Sequence, residues 1–299
     1  MAYSTPQIIS DYKALGDFEN LCSRHHIEGL LYSFYDEFRG SSQFKSVWLK
    51  NWHRNDLAQK VLIESVQVNE LQHKIVLLKG FALLGQVYLD SGSRFMSDVD
   101  LLVHPCDFTK LEKMLIEYGF LRVESKKWKA NSFKSEWSIV IDGTEVCIEL
   151  HSKLYFHVSN RFEDFNFEES HIQGFWRLSS IDQLIHLSTH YAFQHTFQSL
   201  YWAFDFYFYF LHIQDDLDMK LLSQRALRFK VSRSLDYCLS LLVDHFQLKI
   251  ELDQKLSLSS DFLWSEERRS FEYLKIKHLT KDSLIQALEY DFLHFFSRF

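Results

Sequence analysis

The chain has 299 residues, 46% of them hydrophobic and 24% charged, with a formal net charge of −7. That balance suits a soluble globular protein of one large or two modest domains, and it excludes a global basic field of the kind that draws nucleic acid, leaving only a local groove for that purpose. Two prolines and nine glycines beside 28 phenylalanines favour long helices over a strand-and-turn architecture.

In chain order, Thr5 to about Glu70 repeats apolar residues at three- and four-residue spacing: Ile27, Leu30, Leu31 and Phe34, then Leu57, Val61, Ile63 and Val66, broken at "RGSSQ". This predicts a helical lead-in over residues 1–70. "KIVLLKG" then reads as a short strand ending in Lys79-Gly80, and "FALLGQVYLDSG" returns to helical spacing as far as Gly92. "SDVDLLV" is a second strand ended by Pro105, and "DFTKLEKMLIEYGF" is an amphipathic helix with Asp107 as expected N-cap and Gly119 as C-cap. "SEWSIVIDGTEVCIELHSKL" is a hairpin, because Asp142-Gly143 suits the positive φ angles of a tight turn. A small α/β core over 71–158 follows from these elements, and the region 159–299 reads as helical, with a polar interruption at "LDQKLSLSSD". "LYWAFDFYFYFLHI", from Leu200 to Ile213, is shorter than the roughly 20 residues of a membrane span and carries Asp205, so it reads as a buried aromatic helix.

The cysteines Cys22, Cys106, Cys147 and Cys238 form no C-x-x-C pair, and the N-terminus lacks the basic start and apolar stretch of a signal peptide. Reduced thiols and a cytoplasmic location are the expectation.

The chemistry concentrates in "SDVDLLV". Residues two apart in a strand share a face, so Asp98 and Asp100 point one way while Val99, Leu101 and Val103 point the other. Two buried like charges need a counter-charge. On the hairpin's second strand, Glu145, Cys147, Glu149 and His151 share a face, which makes Glu149 a third acid, with Asp142 and Glu145 as competitors for that role. Three carboxylates at a sheet edge suit Mg²⁺, with Mn²⁺ as the alternative, together with substrate phosphates. Lys79 and Gly80 open a helix whose backbone N–H groups and ammonium could face those phosphates. Arg94 could fork onto a phosphate or a carboxylate, and Lys79 and Arg94 could equally serve only to neutralise the aspartates. His151 either orients Glu149 or meets an acceptor. His186, His190 and His195 precede Trp202 and Asp205; without an H-E-x-x-H element or a nearby cysteine, they read as hydrogen-bonded core histidines rather than zinc ligands. Asp205 needs a partner, an arginine or one of these histidines.

The order "LLKG", helix, "R…SDVDLLV", helix, hairpin with "IELH" resembles the DNA polymerase beta-type nucleotidyltransferase superfamily, and within it the bacterial family of uncharacterised nucleotidyltransferases, over roughly Trp48 to Phe210. The resemblance implies an α+β fold, a small mixed-sheet core between helical regions. It also implies transfer of a nucleoside monophosphate from a nucleoside triphosphate to an acceptor; the acidic balance puts a small molecule or peptide ahead of RNA in that role. Asp98 and Asp100 match the paired metal-holding acids, Glu149 the third. His151, His190 and Asp205 fall on the acceptor or base side. Many members carry Gly-Ser where this chain has Lys79-Gly80, which puts the triphosphate grip in question. Transfer of another phosphate-linked group, such as a sugar phosphate, and a non-catalytic nucleotide-binding module are the rival readings.

Overall fold

The structure is a computed structural model that describes residues 6–13, 17–123, 133–155, 157–252, 254–264 and 270–296. Its helices are α1 (Gln7–Lys13), α2 (Phe18–Arg24), α3 (Glu28–Phe34), α4 (Ser42–Ser65), α5 (Lys79–Leu83), α6 (Pro105–Tyr118), α7 (Ser180–Thr189), α8 (Leu200–Ile213), α9 (Met219–Arg228), α10 (Ser232–Phe246), α11 (Ser260–Trp264), α12 (Phe271–Leu279) and α13 (Leu284–Phe296). The strands are β1 (Val76–Leu77), β2 (Val99–Leu102), β3 (Leu121–Arg122), β4 (Lys134–Ile141), β5 (Thr144–His151), β6 (Phe167–Glu169) and β7 (Trp176–Leu178). This is an α+β fold. The chain forms two compact units: one of Met1–Lys50, Gly92–Phe95 and Leu184–Ala287, the other of Asn51–Ser91, Met96–Gln183 and Leu288–Phe299.

The second unit holds a seven-stranded sheet in the order β3-β4-β5-β2-β1-β7-β6. It is mixed: β2 runs parallel to β5, β1 antiparallel to β2 and parallel to β7. The β4–β5 hairpin closes on Asp142 and Gly143, both at positive φ, +50° and +78°. Val99, Leu101, Val103, Val146, Ile148 and Leu150 are all buried, as the two-residue alternation requires. Helix α6 buries Leu111, Met114 and Leu115 and stops at Gly119, whose φ of +112° a residue with a Cβ adopts only under strain.

Three local expectations are corrected. The helix after Lys79 ends at Leu83, because Gly85 takes a φ of +71° and its N–H bonds the Tyr88 carbonyl, so "FALLGQVYLDSG" is mostly turn. Helix α6 starts at Pro105 and is capped by His104, whose Nδ1 accepts from the Cys106 N–H. Asp107 lies inside its first turn and accepts instead from the backbone N–H groups of Gln72 and His73. Finally, β6 and β7 extend the sheet beyond residue 158, in a stretch whose three-residue strands are too short to register as a two-residue alternation.

The first unit is helical. Helix α8 buries ten of its residues, Leu200, Ala203–Phe210 and Ile213, and a helix apolar all round belongs in a core. Tyr207 stacks on Phe246 of α10 at 4.4 Å between ring centroids, and Phe204 meets the same ring edge-on at 5.3 Å. Among the described residues no helix is long and apolar enough to cross a membrane.

A candidate metal centre and its counter-charges

Strand register brings the acids together. In the parallel β2–β5 pair, Asp100 lies opposite Glu149 and Leu102 opposite His151. Strand β1 flanks β2 on its other side, the Leu78 N–H bonding the Asp100 carbonyl at 2.9 Å. The next residue is Lys79, a non-glycine in the left-handed region at φ +47°, a conformation with a steric cost of order 1 kcal/mol. From there its Nζ lies 2.6 Å from Asp100 Oδ1 and 3.9 Å from Glu149 Oε2. His151 Nε2 sits 2.9 Å from Asp100 Oδ1 and 3.0 Å from Glu149 Oε2. Lys134, on β4, ion-pairs with the second oxygen, Glu149 Oε1. The counter-charge that buried acids demand is thus supplied by the chain itself at Asp100 and Glu149.

The electrostatics follow from that lattice. Burial alone would raise the Asp100 carboxyl, but the Lys79 ammonium and the His151 hydrogen bond hold it well below the usual carboxylate range. Glu149 is likewise held down against its burial by His151 and Lys79. Burial works against the charged forms of Lys79 and His151 too, yet the surrounding carboxylates raise both. Asp98 differs. Its burial, reinforced by the neighbouring Asp100 charge, pushes its carboxyl up to about 6, and only Lys79 and a 2.9 Å hydrogen bond from Ser97 Oγ pull the other way.

Asp100, Glu149 and His151 each offer one ligand atom, and the three atoms lie within 4.8 Å of one another. Two buried carboxylates and a half-buried imidazole, with an ammonium now between the acids, fit a divalent cation. Asp98 stands one residue before β2 and outside this trio. The competitors Asp142 and Glu145 are both exposed, whereas Glu149 is buried. Gly80 is buried within α5, a helix of only five residues whose dipole is correspondingly small. Lys134 escaped the sequence reading, although the two-residue turn at Asp142-Gly143 fixes the register that sets it opposite His151.

Arg94 and Asp205 belong to the helical unit and bind each other there. Arg94 Nε donates to both Asp205 oxygens at 2.9 and 3.1 Å, Nη2 donates at 2.6 Å, and Nη1 donates to the Phe95 carbonyl. With side-chain exposures of 3% and 0%, this pair answers the demand for a partner at Asp205, and the fork expected of Arg94 closes on a carboxylate. The same guanidinium lies 5.2 and 5.0 Å from the rings of Tyr201 and Trp202. His190 opens a five-residue π-helical turn, which brings its Nε2 to 3.1 Å from His195 Nε2, and Trp202 stacks on His195 with centroids 4.8 Å apart.

A family model described as uncharacterised nucleotidyltransferase matches residues 15–247, most of the chain. No curated protein and no solved structure matches it.

Proposed function

This chain belongs to the uncharacterised nucleotidyltransferase family, and from that premise we propose that it moves a nucleoside monophosphate from a nucleoside triphosphate to an acceptor hydroxyl or phosphate, using Mg²⁺ or, alternatively, Mn²⁺. The observation that carries this reading is the trio of Asp100, Glu149 and His151 on adjacent strands, with Asp98 beside it. Asp100 and Glu149 would hold the cation, which when bound neutralises phosphate charge and fixes the polyphosphate for in-line displacement. The acceptor oxygen forms a bond to the α-phosphorus, the bond to the β-phosphate oxygen breaks, and pyrophosphate leaves.

The acceptor's proton goes to a carboxylate, and the electrostatics favour Asp98 over Glu149 as its destination. His151 and Lys79 hold the Glu149 carboxyl below its ordinary range against its burial, which weakens it as a base, whereas a carboxyl near 6 is matched to proton transfer at neutral pH. A small-molecule or peptide acceptor accords better than RNA with a chain of net charge −7. The experiment is incubation of the purified protein with Mg²⁺, each of the four nucleoside triphosphates and a cell extract, followed by mass spectrometry for nucleotidyl adducts. Adducts should appear with the native chain and vanish in the Asp98→Ala/Asp100→Ala double variant; adducts that persist in it would remove the site from the reaction.

A further inference from the structure

One ammonium, that of Lys79, straddles Asp100 and Glu149, touching an oxygen of each of two neighbouring strands, while a second, that of Lys134, holds the remaining Glu149 oxygen. These are the oxygens that the cation of the proposed reaction would need. We infer that Lys79 and Lys134 are exchangeable counter-ions, which neutralise Asp100 and Glu149 when no divalent cation is present, yield those oxygens to it, and turn to the anionic polyphosphate instead. The inference rests on the cation-dependent transferase reading and goes beyond it by assigning two lysines a dual role.

Charge arithmetic supports the exchange. A divalent cation brings the two positive charges that the two lysines now supply, so a swap leaves the charge around Asp100 and Glu149 unchanged with His151 still beside them, whereas adding a cation on top of both lysines would raise the positive charge there by two. The side-chain exposures mark the two lysines as different in ease of release: Lys134 is 40% exposed and can turn into water at little cost, but Lys79, at 8%, leaves only when another charge takes its place. An incoming polyphosphate offers the freed ammonium groups a new partner. Because the cation and the lysines compete for the same oxygens, linkage requires that whatever draws the lysines away tightens cation binding. Cation and triphosphate therefore bind cooperatively.

The test uses the full chain, Mn²⁺ as probe, and the electron paramagnetic resonance signal of free Mn²⁺ as readout, with and without a non-hydrolysable nucleoside triphosphate. Lys134→Met should bind Mn²⁺ alone about tenfold more tightly than the native chain, equivalent to about 1.4 kcal/mol, and should lose most of the enhancement that the triphosphate gives the native protein. Lys79→Met should shift further in the same direction; if it does not fold, the half-exposed Lys134 variant decides alone. Asp100→Asn should abolish binding. Lysine variants that bind Mn²⁺ no more tightly than the native chain, while Asp100→Asn still abolishes binding, would overturn the exchange but leave the cation site standing. Binding that survives Asp100→Asn unchanged, or is absent from the native chain with triphosphate, would overturn the cation reading and the exchange together.

Discussion

A double-mutant cycle on Lys79 and Asp100, run in the presence of a chelator, measures how tightly the cation-free site is held by its own charges. The two side chains are 8% and 4% exposed and 2.6 Å apart. Breaking a buried ion pair from one side costs about 3–5 kcal/mol, because the surviving charge is left in a low-dielectric site. Asp100→Asn leaves the Lys79 ammonium with Glu149 Oε2 at 3.9 Å as a substitute, which places the expected loss at the lower end, about 3 kcal/mol. Lys79→Met leaves Asp100 with the His151 hydrogen bond at 2.9 Å, so about 2 kcal/mol is expected. The double variant removes both charges and should cost only about 2 kcal/mol in all, a coupling of about 3 kcal/mol between the two sites. Urea unfolding followed by circular dichroism and tryptophan fluorescence gives each stability, with an unchanged dependence on urea showing that the unfolded states are comparable. Losses that simply add, to within about 0.5 kcal/mol, would refute the pairing as the source of stability.

The remaining predictions concern both units. Arg94→Met should cost about 3 kcal/mol by taking the guanidinium from the fully buried Asp205 carboxylate, and adding Asp205→Leu should recover most of it; equal stability of the two variants in denaturant would contradict a buried pair. Gly119→Ala should cost about 1–2 kcal/mol through φ strain alone, since the nearest atom to an added Cβ, Ile139 Cδ1, would be 3.6 Å away; calorimetry showing no fall in melting temperature would refute the left-handed cap. His25 is buried, its Nδ1 accepts the Leu200 N–H, and burial followed by the charges of Arg24 and His26 lowers its pKa to about 4. Protonation is thus resisted by the fold, so its stability contribution is fully present above pH 6.5 and falls away as the pH drops toward 4, by about 3 kcal/mol. His25→Asn, which keeps an acceptor but not the titration, should flatten that part of the pH–stability curve, and an unchanged slope would count against the burial argument.

Strand alternation is local, so the two-residue period alone puts Glu149 and His151 on one face of β5, where they approach to 3.0 Å; Asp98, read by the same period as the companion of Asp100, stands one residue before β2 and outside the trio. The hairpin register was legible as well, since Asp142-Gly143 dictates its own turn, and Lys134 could have been found by counting back from it. The partner of Asp205 was expected to be an arginine or a histidine, but choosing Arg94 needed contact across 111 residues of sequence, which no local period encodes. Strands β6 and β7 were hidden for a related reason. Each has three residues, and their stability comes from pairing with each other and with β1, not from their own pattern. The early end of α5 and the His104 cap were decided by backbone angles and a side-chain hydrogen bond that compete with ordinary helix propensity.

The most direct measurement is anomalous diffraction from crystals soaked in Mn²⁺ and a non-hydrolysable nucleoside triphosphate. The account predicts a Mn²⁺ peak about 2.1 Å from carboxylate oxygens of Asp100 and Glu149, with Lys79 Nζ drawn off Asp100 toward the polyphosphate. A peak elsewhere, with the Lys79–Asp100 contact intact and the nucleotide bound, would contradict it.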